Sequence, residues 1–276
     1  MAPPTGRSEL ETALEELADG PGRLCPRRAR RLAQQTGLPL ADVERAALEK
    51  GVVPERYDRN LGTLGADGQR RLLEARVAVV GLGGLGEQVV ECLARLGVGR
   101  IVGFDPDCFA STDLNRQIHA TGHNLGEPKG DQVRRRVERI NPAVSFRPRE
   151  ETFQNAGPEA FAGCELVFDC LDSIPARLEL AESCSERDLV LVHGAVAGWS
   201  GQAGVCRPGG SMLRTIYGGG KRGLEGRLGN LPFTVAVTAN LMVSKAVPLL
   251  LGEPSPENER LQIFDLRAGE WETVEF

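Results

Sequence analysis

Along most of the chain, short apolar runs alternate with stretches whose apolar residues recur every three to four positions. Val77-Ala-Val-Val80 is continuously apolar, as a strand covered on both faces requires. It leads into Gly81-Leu-Gly-Gly-Leu-Gly86, after which Val89, Val90, Leu93 and Leu96 fall at helical spacing. Gly97 and Gly99 end that helix. The pattern predicts a strand at Arg100–Phe104, a helix over 129–140 stopping before Asn141-Pro142, and a strand near 144–148. Leu166-Val-Phe168 reads as a buried parallel strand, followed by a helix over 175–187 and a strand at Leu189–Val192. Residues 194–210 suggest antiparallel strands, and 217–230 a glycine-rich, mobile loop. An apolar helix over 233–251 precedes a terminal hairpin, Leu261–Asp265 and Trp271–Phe276. Such alternation predicts an α/β fold with a doubly wound, mostly parallel sheet and antiparallel C-terminal strands.

Residues 1–55 break the pattern. They carry Pro3, Pro4, Pro21, Pro26 and the basic cluster Arg27-Arg-Ala-Arg-Arg31. Helical spacing then continues to Leu48, interrupted at Thr36-Gly37-Leu38, which divides it into two short helices. The outline is that of a helix-turn-helix, and the expectation is a hairpin packed on the main domain or on a partner. The division expected is a helical extension over 1–55 and a catalytic or binding domain over 56–276. A chain of 276 residues with 41% hydrophobic content suits one α/β domain plus a small appendage. Its net charge of −5 argues against bulk nucleic-acid binding. No apolar run is read as a bilayer span, and Met1–Arg7 lacks a signal-peptide core, so a cytoplasmic protein is expected. The seven cysteines form no Cys-x-x-Cys pair, which argues for free thiols and no structural zinc.

The chemistry clusters at the expected strand tips. Gly81 permits a tight turn, Gly83 lets backbone N–H groups approach a phosphate, and Gly86 lets the helix pack closely on its strand, a Rossmann-like arrangement. Asp105 stands where an acid can bond ribose hydroxyls. Asp169 and Asp172 follow the strand 166–168; one of them can hold magnesium, and Asp169 can equally be a cap or turn residue. Arg116 can grip phosphate oxygens bidentately, and Lys129 supplies a point charge. Cations after a glycine loop and a ribose-type acid suggest a triphosphate. A nicotinamide oxidoreductase explains the glycines and Asp105 but leaves Arg116, Lys129 and Arg59 idle.

Arg56-Tyr-Asp-Arg59, Gly81–Gly86, Asp105, Leu114-Asn-Arg-Gln117, Pro128-Lys129, Asp169-Cys-Leu-Asp172 and His193-Gly-Ala-Val196 form an ordered series. By it the chain resembles the MoeB/ThiF/HesA superfamily, related to ubiquitin-activating enzymes, over about residues 56–276. The resemblance implies ATP-dependent adenylation of the C-terminal glycine carboxylate of a small ubiquitin-like sulfur carrier ending in Gly-Gly, by a homodimer. It implies a nucleotide site of Gly81, Gly83, Gly84, Gly86, Asp105, Asp113, Asn115, Gln117 and Ser173. Arg116 and Lys129 would bind the triphosphate, Asp172 would hold Mg2+, and Arg59 would reach the ATP site of the opposite subunit.

Three departures stand out. The zinc-binding cysteine pairs of many bacterial members are missing, and no zinc is expected. The loop 218–230 lacks the cysteine that takes the activated carrier in some members, leaving Cys184 and Cys206 as substitutes for a covalent role. Asp113 replaces the usual asparagine, adding a carboxylate near phosphates. Two alternatives remain. Asn115-Arg-Gln-Ile-His-Ala120 is similar to the tRNA threonylcarbamoyladenosine dehydratases, and the Arg27–Arg31 cluster can serve RNA, although His193–Gln202 is closer to the carrier-activating branch. A nucleotide-binding module with weakened catalysis is the other. His193 is read as structural.

Overall fold

The computed structural model describes residues 6–276, apart from Asp19, Pro21, Lys221, Arg222 and residues 255–257. The chain begins with α1 (Gly6–Ala18), β1 (Arg23–Leu24), α2 (Pro26–Thr36), α3 (Leu40–Glu49), β2 (Val53–Pro54) and α4 (Leu61–Glu74). Gly37, at φ 69°, turns the chain between α2 and α3. Leu10, Leu14 and Leu17 of α1 pack with Ala29, Leu32, Val43 and Ala47 into a separate apolar cluster. Helix α1 was not expected, although its leucines at i, i+4 and i+7 carry the signal of an amphipathic helix. A buried joint ties this bundle to the remainder. Glu44 of α3 lies 3.1 Å from Arg56 Nε. Arg56 Nη1 donates to Asn141 Oδ1 (2.5 Å), and Asn141 Nδ2 donates to the Tyr57 hydroxyl (2.9 Å).

The remainder runs β3 (Arg76–Val80), α5 (Gly84–Leu96), β4 (Arg100–Phe104), α6 (Lys129–Ile140), β5 (Ser145–Arg149), β6 (Leu166–Asp169), α7 (Ile174–Ser185) and β7 (Val190–Ala197). Then follow β8 (Ser200–Cys206), α8 (Met212–Tyr217), α9 (Glu225–Leu228), α10 (Pro232–Leu250), β9 (Arg260–Asp265) and β10 (Glu270–Glu275). One eight-stranded sheet has the order β10-β9-β8-β7-β6-β3-β4-β5. It is parallel from β7 through β5 and antiparallel from β7 through β10. The strand period of two assigns the two cores. Val77 and Val79 face the cluster containing α5, α6 and α10, whereas Ala78 and Val80 face the one containing α7 and α8. Full burial of a valine side chain contributes about 1.5–3 kcal/mol, so the central strand is a principal anchor of the sheet.

Three expectations are corrected. The strand foreseen at 189–192 and the first of the antiparallel strands are a single β7, because it pairs in parallel with β6 and continues past its tip against β8. The segment 217–230 holds the end of α8 and all of α9, with Lys221 and Arg222 outside the described residues. Helix α10 is long and apolar enough to cross a membrane by length and composition, contrary to the reading of no such run. Here Thr238, Ala239, Met242 and Ala246 are buried, and α10 packs against α5, β7 and β8.

The chain leaves β3 toward β4 and β5, then returns to place β6 on the other side of β3. That reversal opens a crevice at the carboxyl ends of β3 and β6.

Candidate functional site

A cleft of about 640 Å³ occupies this crevice. Gly81 adopts φ 90°, and a Cβ there would meet the Cys170 carbonyl oxygen at 2.7 Å. A Cβ on Gly86 would lie 1.8 Å from the Gly81 carbonyl oxygen, so only glycine lets α5 fold back this closely. Gly81, Gly83 and Gly84 line the cleft, where the amino end of α5 supplies unpaired N–H groups and partial positive charge.

Asp105, at the tip of β4, shapes the loop from both carboxylate oxygens. Oδ2 accepts the Leu82 N–H (2.7 Å) and Oδ1 accepts the Asp107 N–H (2.8 Å). Burial raises its carboxyl, an effect that Lys129 and the two N–H groups oppose. Lys129 opens α6, and its Nζ donates to Asp107 Oδ2 (3.1 Å). Burial would lower the Lys129 ammonium, but Asp105, Asp107 and Asp113 together raise it, so it stays charged. Arg116 follows the short turn Ser111–Asp113. Its Nη1 donates to the Thr112 carbonyl (2.8 Å) and to Asn115 Oδ1 (3.0 Å), while Nη2 lies 3.5 Å from Asp113 Oδ1. Asp113 Oδ2 also accepts the Ala110 N–H (2.9 Å). The added carboxylate therefore holds its own turn and sits within reach of an arginine.

Asp172 lies at the exposed rim beyond β6 and also lines the cleft. Asp169 is fully buried beneath it. Its Oδ2 accepts His193 Nδ1–H (2.7 Å), and its Oδ1 accepts the Leu171 N–H (3.1 Å). Burial is the largest influence on Asp169 and would raise it, yet Arg177, His193 and the Leu171 N–H together hold it low. Burial keeps His193 neutral by lowering it. Arg177 donates to the carbonyls of Gly194 (3.1 Å) and Leu171, which fixes the segment that carries Asp172.

The fold thus brings Gly81, Gly83, Gly84, Asp105, Asp113, Arg116, Gln117, Lys129 and Asp172 into one cleft. Gly86 acts behind it. Asn115, Ser173 and Arg59 do not line it; Asn115 Nδ2 instead donates to the Asn230 carbonyl (3.0 Å). Sequence reasoning missed Asp107, Arg177, Phe153 and Gln154, which line the cleft. Asp107 was visible as a second carboxylate beside Asp105, whereas Phe153 and Gln154 lie in irregular chain with no periodic signal.

The arrangement suits a polyphosphate: helix N–H groups, an ammonium and a guanidinium converge on one volume. Asp172 offers the oxygen donor that Mg2+ prefers. Among the described residues no group of three or more His, Cys, Asp or Glu can hold a metal, so such an ion would draw its other ligands from phosphate and water. The seven cysteines are unpaired, and Cys184 and Cys206 are buried. Burial pushes the Cys184 thiol up to about 12 and raises Cys206 as well, which suppresses the nucleophilic thiolate.

A model of the ThiF family matches residues 57–276. The chain is 34% identical over 232 residues to the SAMP-activating enzyme E1 of Haloferax volcanii, covering 80% of this chain and 85% of that protein. It is 29% identical over 226 residues to the sulfur carrier protein ThiS adenylyltransferase of Escherichia coli, covering 79% and 90%. Its fold is similar to that of the crystal structure of E. coli tRNA N6-threonylcarbamoyladenosine dehydratase, with TM-score 0.61, 22% identity and coverage of 72% and 95%.

Proposed function

The chain belongs to the ThiF family and is an adenylyltransferase of that type, and from this premise we propose that it activates the C-terminal glycine of a small ubiquitin-like sulfur carrier. In this reading it acts as a cytoplasmic homodimer. One carboxylate oxygen of the carrier attacks the α-phosphorus of ATP. The bond from the α-phosphorus to the bridging oxygen breaks, pyrophosphate leaves with that electron pair, and the carrier ends as an acyl-adenylate.

Two anions must meet, so charge stabilisation is the main demand on the protein. The observation that carries the proposal is the convergence of the α5 amino end, Lys129, Arg116 and Asp105 in one cleft. Arg116 and Lys129 would stabilise negative charge on the phosphates, Gln117 would orient them, and Asp105 would accept the ribose hydroxyls. Asp172 would hold Mg2+, which neutralises charge on the departing pyrophosphate when bound. Arg59 is exposed outside this cleft, which suits its proposed role in the site of a partner subunit. Burial of Cys184 and Cys206 argues against either of them as the site of a covalent enzyme intermediate.

ATP–pyrophosphate exchange tests the reading. A carrier ending in Gly-Gly is expected to stimulate exchange, and the same carrier lacking its terminal glycine is not. Stimulation by modified tRNA, with none by any carrier, would replace this reading with the dehydratase-like one. Binding of ATP without exchange would favour a nucleotide-binding module. The purified protein is expected to carry no stoichiometric zinc; one equivalent by metal analysis would contradict that.

A further inference from the structure

In the first turn of α5 the sequence places Glu87, and the fold buries it completely. Its Oε2 accepts the backbone N–H of His119 (2.8 Å) and lies 3.4 Å from His119 Nδ1. Its Oε1 has no hydrogen-bond partner. On the other side, Asn124 Nδ2 donates to the His119 carbonyl (2.8 Å), and Asn124 Oδ1 accepts the Thr121 N–H (2.8 Å). The backbone of His119 is thus held at both its N–H and its C=O. The residues just before it, Arg116 and Gln117, line the cleft. Glu87 therefore ties the helix that follows the glycine loop to the segment carrying the arginine.

We propose that Glu87 is a positioning residue of the nucleotide site: its neutral carboxyl clamps His119 to α5, so holding Arg116 and Gln117 at the glycine loop, and its ionisation weakens ATP binding. The inference rests on the ATP-site reading above.

The physical reason is competition for one positive region. An ionised carboxylate in the first turn takes up the partial charge that the amino end of α5 otherwise offers to phosphate. It also adds a buried negative charge beside the negative ligand. The groups around it do not neutralise that charge. Lys129 of α6 attracts it, but Asp105 beyond β4 and Asp113 in the preceding turn repel it. His119 is kept neutral by burial. Glu91, one turn along α5, is itself occupied by Arg95 (2.7 Å) and by Arg136 of α6 (2.9 Å). Burial accordingly pushes the Glu87 carboxyl up to about 8, against the His119 N–H and Lys129. The clamp is neutral at pH 7 and charged at pH 9.

The test is calorimetric binding of a non-hydrolysable ATP analogue to the full chain at pH 7 and pH 9. A group titrating at about 8 whose ionised form does not bind makes the wild-type Kd about tenfold weaker at pH 9. Glu87→Gln keeps the shape without the charge and is expected to reduce that ratio to less than about twofold. Glu87→Ala removes the clamp and weakens binding at both pH values. A wild-type pH ratio retained in Glu87→Gln overturns the proposal. Should neither variant fold, 13C NMR titration of the Glu87 carboxyl in the wild-type chain decides the matter. By linkage, the analogue must raise the midpoint; a midpoint that the analogue leaves in place overturns the proposal. Absence of binding at every pH removes the ATP-site reading itself, and the clamp with it.

Discussion

The tips of β4 and β6 carry the same sequence signal, an aspartate ending or following a buried parallel strand, and the fold uses them in opposite ways. Asp105 opens onto the cleft and organises the glycine loop through two backbone N–H groups. Asp169 is sealed under the cleft, bonded to His193, and supports the turn that exposes Asp172. One carboxylate faces the cleft, while the other holds up a residue that faces the cleft. A strand-tip acid therefore marks the site without saying which layer of it the acid occupies. Depth is set by the elements packed behind, here β7 and α7, which provide His193 and Arg177.

The largest effect expected from breaking this contrast is on folding. Asp169→Ala leaves His193 Nδ1–H without its acceptor and the buried Arg177 cation without its nearby counter-charge, and loss of one partner of a buried charged pair costs about 3–5 kcal/mol. Urea unfolding measures it, and a loss within the error of the fit would mean that Asp169 is not a support. Next come the cleft cations. Lys129→Ala or Arg116→Ala is expected to lower carrier-stimulated exchange by about 10²–10³-fold, the scale of one lost transition-state donor. Near wild-type exchange would remove both from the reaction. Asp105→Asn, which loses the charge and one of the two acceptors for the Leu82 and Asp107 N–H groups, is expected to raise the KM for ATP by about tenfold and to lower the urea midpoint by less than Asp169→Ala does.

Acid titration sharpens the same pair through opposite signs. Asp169 is held below its ordinary value of 3.8, so its stabilisation is complete above that pH and is lost as pH falls below it. Asp105 is raised by burial, so the folded state binds its proton more tightly, and its contribution declines as pH rises through 3.8. Thermal melts of wild type, Asp105→Asn and Asp169→Asn across this range are expected to diverge in opposite directions. Parallel curves would show that the two sites do not differ in this way. The smallest effect is that of the buried thiols: Cys184→Ser is expected to leave the exchange rate unchanged. A thiol-sensitive enzyme–carrier conjugate that forms with wild type and is absent with Cys184→Ser would restore the covalent role.

Much of the sheet was legible because periodicity reports which faces are buried. Val77 to Val80 and the helix after Gly86 were visible since one is apolar on both faces and the other on one stripe. The cleft residues Gly81, Asp105, Arg116, Lys129 and Asp172 were visible because a glycine turn, acids and cations at strand ends are the residue types that the proposed nucleotide site would use. Less visible was what comes together only through long loops. Phe153 and Gln154 reach the cleft from irregular chain, and β7 changes partners part-way along without any change in its composition. Glu87 was hidden for another reason: a glutamate in a first helical turn is ordinary at the surface, and only the fold, which sets His119 against it, buries it.

The sequence by itself determined the alternation of strands and helices, the glycine turn and the residue types that meet at the strand ends, because each depends on local spacing and residue type. Only the tertiary structure decided which carboxylate opens to the cleft, which lies beneath it, and that Arg116 and Lys129 share one volume. Those outcomes depend on the strand order and on the solvent each side chain loses when neighbouring elements close over it, quantities that no single segment contains.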